Sequence, residues 1–380
     1  MKGTLLSGKS PESTKGRTKE GIIPWEHGLL ALGGAEMSGD KYSEEDIRQC
    51  HELCRQLSNL IAQRVIGQEE LIDQILTAFL AGGHVLVEGA TGIGRGLIVA
   101  TLAKALHGSF RQVYFTPDLT PADLVGREVF IEDVTSGQRR PQLEPGPIFA
   151  NFLVVRDIPC ALPRIQSLLM EAMESGQVTV AGRLRDLPRP FFVLATQNPA
   201  VQEETHPLPL EHLDRFLFFL KAEYPSAADE WRIARSAAER PPDLNPILEV
   251  EKWSSLSGLV DQIDFPESLL GYAWALVRAS RPRASDSPDF VDRWIASGAS
   301  TRGLLALIRA TRARALLRGR RSVELEDIHA VVKPVLRHRI SPNEAAQAQA
   351  ITSDALIDMI MEAVPPNRRY APPQADIPSK

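Results

Sequence analysis

Cysteine is scarce in this 380-residue chain, which contains three. Cys50 and Cys54 lie four apart and Cys160 is distant from both, a set that fits neither a zinc-ligand pattern nor a disulfide framework and suits a reducing cytoplasm. An excess of basic residues is also missing. Lys and Arg total 43 against 48 Asp and Glu, for a formal net charge of -5, so there is no bulk attraction to nucleic acid or to an anionic membrane. Long apolar runs are absent as well. The stretch Leu29 to Leu32 is too short to span a bilayer, and the polar start from Lys2 to Glu20 lacks the apolar segment of a signal peptide, so neither secretion nor membrane insertion is expected. What remains is a chain with 43% hydrophobic residues, enough for a substantial core and for two or three domains.

Residues 1–42 are rich in Gly, Ser, Lys and Glu without periodicity and read as a flexible extension. From Ser43 the pattern becomes helical: Ile47, Cys50, Cys54, Leu57 and Ile61 recur at three- and four-residue steps, and Ser43 with Asp46 resembles a capping box. Short apolar runs then alternate with helical segments. His84 to Glu88, Phe152 to Val155 and Phe191 to Ala195 read as strands, with Leu97 to Leu106 and Ile165 to Met173 as helices. This alternation predicts an α/β core with a parallel sheet flanked by helices, over residues 43–222. Residues 223–345 read as a smaller all-α domain, and residues 346–380 as a terminal helix followed by a proline-containing tail that is extended or disordered.

The strand-like run Val85 to Val87 leads into Gly89, Ala90, Thr91, Gly92, Ile93, Gly94, Arg95 and Gly96, and then into a helix. Glycines let backbone amides turn inward around phosphate, and the following helix adds its positive N-terminal end. The full phosphate-loop signature asks for Lys and then Ser or Thr where this chain has Arg95 and Gly96. Arginine keeps the charge but offers a planar fork, and glycine removes a metal-binding hydroxyl. Taken alone, the segment is either a nucleotide site or a tight strand-to-helix turn.

Longer strings narrow the choice. VIGQEELIDQILTAFLAGGHVLVEG from Val65, FTPDLTPADLVG from Phe115, EPGPIFAN from Glu144, IQSLLMEAMESGQVTV from Ile165, FVLATQNPAVQEETHPLPLEHLDRF from Phe192, GASTR from Gly298 and VLRHRI from Val335 closely resemble the MoxR family of AAA+ ATPases, in the family's order over residues 60–345. The resemblance implies a P-loop core with a helical lid, binding of ATP or ADP, and a ring, commonly hexameric, that acts as a chaperone-like remodelling factor. A von Willebrand factor A-domain protein is an implied partner.

The same resemblance marks what is altered. The family pattern places a magnesium-binding Asp and a water-polarising Glu after the strand Phe152 to Val155, where this chain has Arg156 and Asp157. Slipping the register by one to rescue Asp157 would misplace the strand. Arg95, Gly96 and Arg156 together predict poor magnesium binding and weak or absent hydrolysis, a pseudo-ATPase in which Arg156 stands in for the cation. Asn198 matches the sensor-1 residue, Arg215 the arginine finger that reaches a neighbouring subunit, and Arg302 the sensor-2 arginine, preceded by Thr301 in place of the usual Pro. Each has a plainer reading: Asn198 as a strand-end cap, Arg215 in a local pair with Asp214, Arg302 as a solvated helix start.

The retained Arg215 suggests that the chain completes a neighbour's site in a mixed ring. A scaffold that binds no nucleotide and an active ATPase with variant motifs are the alternatives. The arginines from Arg309 to Arg321 read as a solvated helix face rather than a nucleic-acid patch, because no aromatics are interleaved. His206, His212 and His338 read as structural and Glu203 and Glu204 as loop charges, and no metal-ligand set is expected.

Overall fold

The structure is a computed structural model that describes residues 43–90, 92–132, 139–199, 205–236, 244–284, 287–368 and 370. The extension read over 1–42, Thr91, Glu203, Glu204 and the tail beyond residue 370 lie outside the described residues.

The first elements are α1 (Glu44–Ala62), α2 (Glu69–Leu80), β1 (Val85–Gly89), α3 (Arg95–Ala105), β2 (Phe110–Tyr114), α4 (Pro121–Val125), β3 (Gly126–Glu132), β4 (Arg139–Pro145) and β5 (Phe152–Arg156). Then come α5 (Pro163–Ser175), β6 (Gln177–Val180), β7 (Arg183–Asp186), β8 (Phe192–Gln197), α6 (Leu210–Leu213) and β9 (Phe218–Ala222). The capping box expected at Ser43 forms: Ser43 Oγ accepts from the Asp46 amide at 3.3 Å, and Asp46 accepts from the Ser43 amide at 2.6 Å. The stripe Ile47, Cys50, Cys54, Leu57 and Ile61 is buried, as its spacing demands.

Five strands make one parallel sheet in the order β2-β5-β8-β1-β9. The central strands are buried on both faces, which is why they read as continuous apolar runs. Successive side chains point to opposite faces, so the sheet divides two cores. Val85, Val87, Phe152, Val154 and Leu194 join α1, α2 and α3 on one side, whereas Leu153, Val155, Val193 and Ala195 join α5 on the other. Antiparallel hairpins β3–β4 and β6–β7 branch off this sheet, a feature that the strand and helix alternation did not indicate.

After β9 the chain is mostly helical: α7 (Ala227–Ser236), α8 (Val250–Ser257), α9 (Glu267–Ala279), α10 (Asp289–Trp294), the short β10 (Ile295–Ser297), α11 (Thr301–Leu317), α12 (Leu325–Leu336), the two-residue β11 (Ser341–Pro342), α13 (Glu344–Ala348) and α14 (Ser353–Ala363). Apart from α7, which buries no residue, these helices share the first core with the sheet. Phe79 of α2 stacks on Trp253 of α8 with ring centres 4.5 Å apart, and Leu307 and Leu316 of α11 belong to the same apolar cluster.

The basic stretch is only in part a solvated face: Arg318 and Arg321 are exposed, whereas Arg309, Arg314 and Arg320 are largely covered. Arg314 and Arg318 pair with Asp73 of α2, Arg309 with Asp261, Arg320 with Asp327 and Arg321 with Glu44, so these arginines tie the helical region together and onto α1 and α2. His338 is buried, with Nε2 3.0 Å from the Phe216 carbonyl. Beside it Arg339 donates through Nε to Asp214 at 2.6 Å and through its two other nitrogens to the carbonyls of Asp214, Phe216 and Leu217. The VLRHRI segment is thus a strap that fixes the helical part to the entry of β9.

His84, just before β1, is held neutral by its surroundings. Its Nδ1 accepts from the Val193 amide at 3.1 Å while Nε2 faces the Met173 carbonyl at 3.2 Å, so only the tautomer protonated at Nε2 satisfies both. Burial lowers its pKa from 6.5 to about 4. Between those values the unfolded chain binds a proton that the folded chain refuses. The stability arising from this group is therefore complete above about pH 6.5 and falls by roughly 3 kcal/mol as the pH drops toward 4. Urea denaturation at pH 7 and pH 4.5 checks this: His84→Gln should show a clearly smaller loss between the two conditions than the unmodified chain, and equal losses would show the assignment to be wrong.

Candidate functional site

All five parallel strands point their C-terminal ends toward one edge of the sheet, and the glycine loop leaves β1 there. Gly89 must be glycine, because an added Cβ would lie 2.1 Å from the Ala222 carbonyl oxygen. Gly94 caps α3 in the left-handed region, at φ 90°, where a side chain is disfavoured. No side chain caps the N-terminus of α3, so its first amides face the loop without a side-chain acceptor.

Arg95, the first residue of α3, is buried and turns back onto the sheet, its Nη1 3.3 Å from the Val87 carbonyl. Burial lowers its pKa, nearby Arg156 lowers it further, and Asp157 opposes both. The structure therefore brings Arg95, Arg156 and Asp157 into one electrostatic group. Arg156 closes β5 and is the register partner of Tyr114 on β2, and its guanidinium carbon lies 5.2 Å from the Tyr114 ring centre. Its Nε is buried and has no hydrogen-bond partner among the described residues. Asp157 sits in the left-handed region at φ 55°, and its amide donates to Thr196 Oγ1 at 3.1 Å.

Gln112 and Tyr114 are functional candidates that the sequence reading did not include. A Cβ at position 96 would meet Gln112 Oε1 at 3.1 Å, and Gln112 Nε2 donates to Tyr114 Oη at 3.1 Å. The signal for them was the i, i+2 spacing of two polar side chains on one face of β2. Asn198 follows β8 on the same sheet edge and lines a cleft with Leu213, Phe219, Arg337 and Ile340. Its neighbour Gln197 donates to Glu88 at 2.8 Å, tying the ends of β8 and β1.

Arg215 and Arg302 are elsewhere. Leu217 bonds to the carbonyl of His84, so Arg215 stands at the N-terminal edge of the sheet. A five-residue strand, about 16 Å long, separates it from the glycine loop. Arg302, at the start of α11, joins it there. Both meet Glu174 near the end of α5: Arg215 in a close ion pair and Arg302 at 3.4 Å. The local Arg215–Asp214 pair is not formed. Asp214 is taken instead by Arg339, with Arg302 at 3.6 Å. Arg302 is half-buried and ion-paired rather than solvated. Burial lowers the Arg215 pKa, with Arg302 adding to the effect and Glu171 opposing it. These groups share a small cavity with Arg189 and Ser175.

Residues 84–218 match the ATPase family associated with various cellular activities (AAA), and residues 290–360 match the AAA lid domain. The chain is 35% identical over 310 residues to Chaperone MoxR1 of Mycobacterium tuberculosis, covering 82% of this chain and 81% of that protein. The chain belongs to the MoxR family of AAA+ ATPases. Protein MoxR of Paracoccus denitrificans is 30% identical over 343 residues, covering 85% of this chain and 98% of the relative. A crystal structure from Cytophaga hutchinsonii superposes with a TM-score of 0.78 at 32% identity, over 85% of this chain and 97% of that one.

Membership of the MoxR family implies a nucleotide site. The divalent ion is another matter. The positions that the family pattern assigns to it are Gly96 and Arg156, and neither side chain offers an oxygen donor. The residues present do not fit the ion. No helix among the described residues is long and apolar enough to cross a membrane.

Proposed function

We propose that this MoxR-family chain is a nucleotide-binding subunit of a chaperone-like remodelling ring, a pseudo-ATPase within that ring, with slow or absent turnover of ATP in its own site. The observation that carries the reading is the side chain of Arg156, docked on Tyr114 at the position where the family pattern has a metal-binding acid. Asp157, Asn198, Arg215 and Arg302 are the residues assigned to the reaction, and the loop from Gly89 to Gly96 to the phosphates. A ring of six, a von Willebrand factor A-domain partner and a cytoplasmic setting follow from the same family reading.

The separation of charges supports a division of roles. Arg215 and Arg302 lie at the opposite sheet edge from their own loop, which supports a role for them toward a neighbour's nucleotide. In a mixed assembly with a hydrolysing MoxR-family protein, Arg215→Ala in this chain should lower phosphate release at least tenfold per mixed interface, since such arginines contribute on the order of 10³ or more to phosphoryl transfer elsewhere. Unchanged release from that assembly would remove the division of roles.

One observation favours a second reading, a scaffold that binds no nucleotide: Arg95 is committed to the Val87 carbonyl of its own strand. Calorimetric titration with ATP separates the two readings, because a scaffold shows no binding.

A further inference from the structure

The two altered positions that the family pattern assigns to the metal lie on different elements, Gly96 at the start of α3 and Arg156 at the end of β5, yet one run of side chains connects them. Gln112 Oε1 lies 3.1 Å from the point where a side chain at 96 would begin. The same amide donates to Tyr114 Oη at 3.1 Å. The Tyr114 ring carries the Arg156 guanidinium, 5.2 Å from its centre. The register of β2 against β5 fixes this arrangement by setting Tyr114 opposite Arg156.

The surroundings are cationic and incompletely satisfied. Arg95 and Arg156 repel one another, with Asp157 as the carboxylate that offsets them. Arg156 Nε is buried without a partner among the described residues. A divalent cation placed here would add charge to two guanidinium groups, whereas a polyphosphate would supply the anion that they lack.

We propose that this group is a metal-independent polyphosphate site, in which Arg156, held on the Tyr114 ring, meets the phosphates directly and Gln112 fills the space left at Gly96. The ligand is a nucleoside triphosphate without its divalent ion. Tyr114 and Gln112 are positioning residues that act through Arg156. The proposal rests on the reading of the chain as a nucleotide binder.

Titration of the full chain with ATP, once in excess magnesium and once in EDTA, tests it. The affinity in EDTA should equal or exceed that in magnesium. Tyr114→Ala should weaken binding in EDTA about fivefold and shift the ratio of the two affinities toward magnesium, whereas Tyr114→Phe, which keeps the ring, should preserve the ratio. Gly96→Thr combined with Arg156→Asp should reverse it. Inorganic triphosphate should reproduce the preference for EDTA if the phosphates are what is recognised.

Tighter binding in magnesium by the unmodified chain overturns the proposal and leaves nucleotide binding standing. An unchanged ratio in Tyr114→Ala overturns the role of Tyr114, because a merely structural defect would weaken both conditions alike. No binding in either condition overturns the nucleotide reading itself.

Discussion

A chain carrying Arg95→Lys, Gly96→Thr, Arg156→Asp and Asp157→Glu should release phosphate from magnesium ATP at least about 100-fold faster than the unmodified chain. A correctly held divalent ion contributes several kcal/mol to stabilising the charge of a phosphoryl transition state, and each ~1.4 kcal/mol is tenfold in rate. Two features of the structure set the limits of the rescue. A threonine at 96 places its Cβ 3.1 Å from Gln112 Oε1, the far end of a flexible side chain, which must give by a few tenths of an ångström. Adding Gln112→Ala should raise the rate further. Position 157 sits at φ 55°, a conformation that Asp tolerates better than Glu, so the last substitution should cost about 1 kcal/mol of stability. A five-fold variant that binds magnesium ATP tightly and still releases no phosphate would place the defect outside these positions.

Arg339→Ala should lower the free energy of unfolding by roughly 3–5 kcal/mol, the range seen when one partner of a buried ion pair is removed. The Arg339 side chain is 2% exposed and serves the Asp214 carboxylate together with the carbonyls of Asp214, Phe216 and Leu217. Truncation removes the Arg339 donor from each of them at the junction of the helical region with β9, leaving Asp214 with the longer Arg302 contact and the Phe216 carbonyl with His338. Arg339→Lys should recover only part of the loss, because a single ammonium cannot span a fork of acceptors. Urea denaturation of the two variants, followed by tryptophan fluorescence, gives the comparison. A loss below about 1 kcal/mol for Arg339→Ala would mean that the junction is held by apolar packing instead.

The elements legible in the sequence are those whose signal is local. The buried strands β5 and β8 show as unbroken apolar runs, α1 as a stripe with its capping box, and the glycine loop as a motif between a strand and a helix. β2 was missed because it lies at the sheet edge and two of its five residues are half-buried and none fully so, leaving no apolar run. Gln112 and Tyr114 were missed with it. Other misreadings share a long-range cause. Arg314 pairs with Asp73, 241 residues away, and Arg215 with Glu174, 41 residues away, so neither counter-charge is visible near its partner. Neighbouring Asp214 looked like the natural partner of Arg215, but Arg339 claims it from 125 positions on. The positions assigned to chemistry rest on resemblance, whereas their partners depend on how distant segments meet.

The glycine loop and the Arg215–Arg302 pair occupy opposite ends of a single strand's length, and this gives the subunit a direction. Two such subunits joined by a two-fold axis would set like end against like end and bring together no complete set of reacting groups. Translation with rotation, donor end to acceptor end, is the relation that joins one copy's loop to the next copy's arginines, and repeated it closes into a ring or runs on as a helix. On the proposed reading, a subunit silent at one end would remain useful at the other, and a closed circle containing it would lose one working junction for each such subunit.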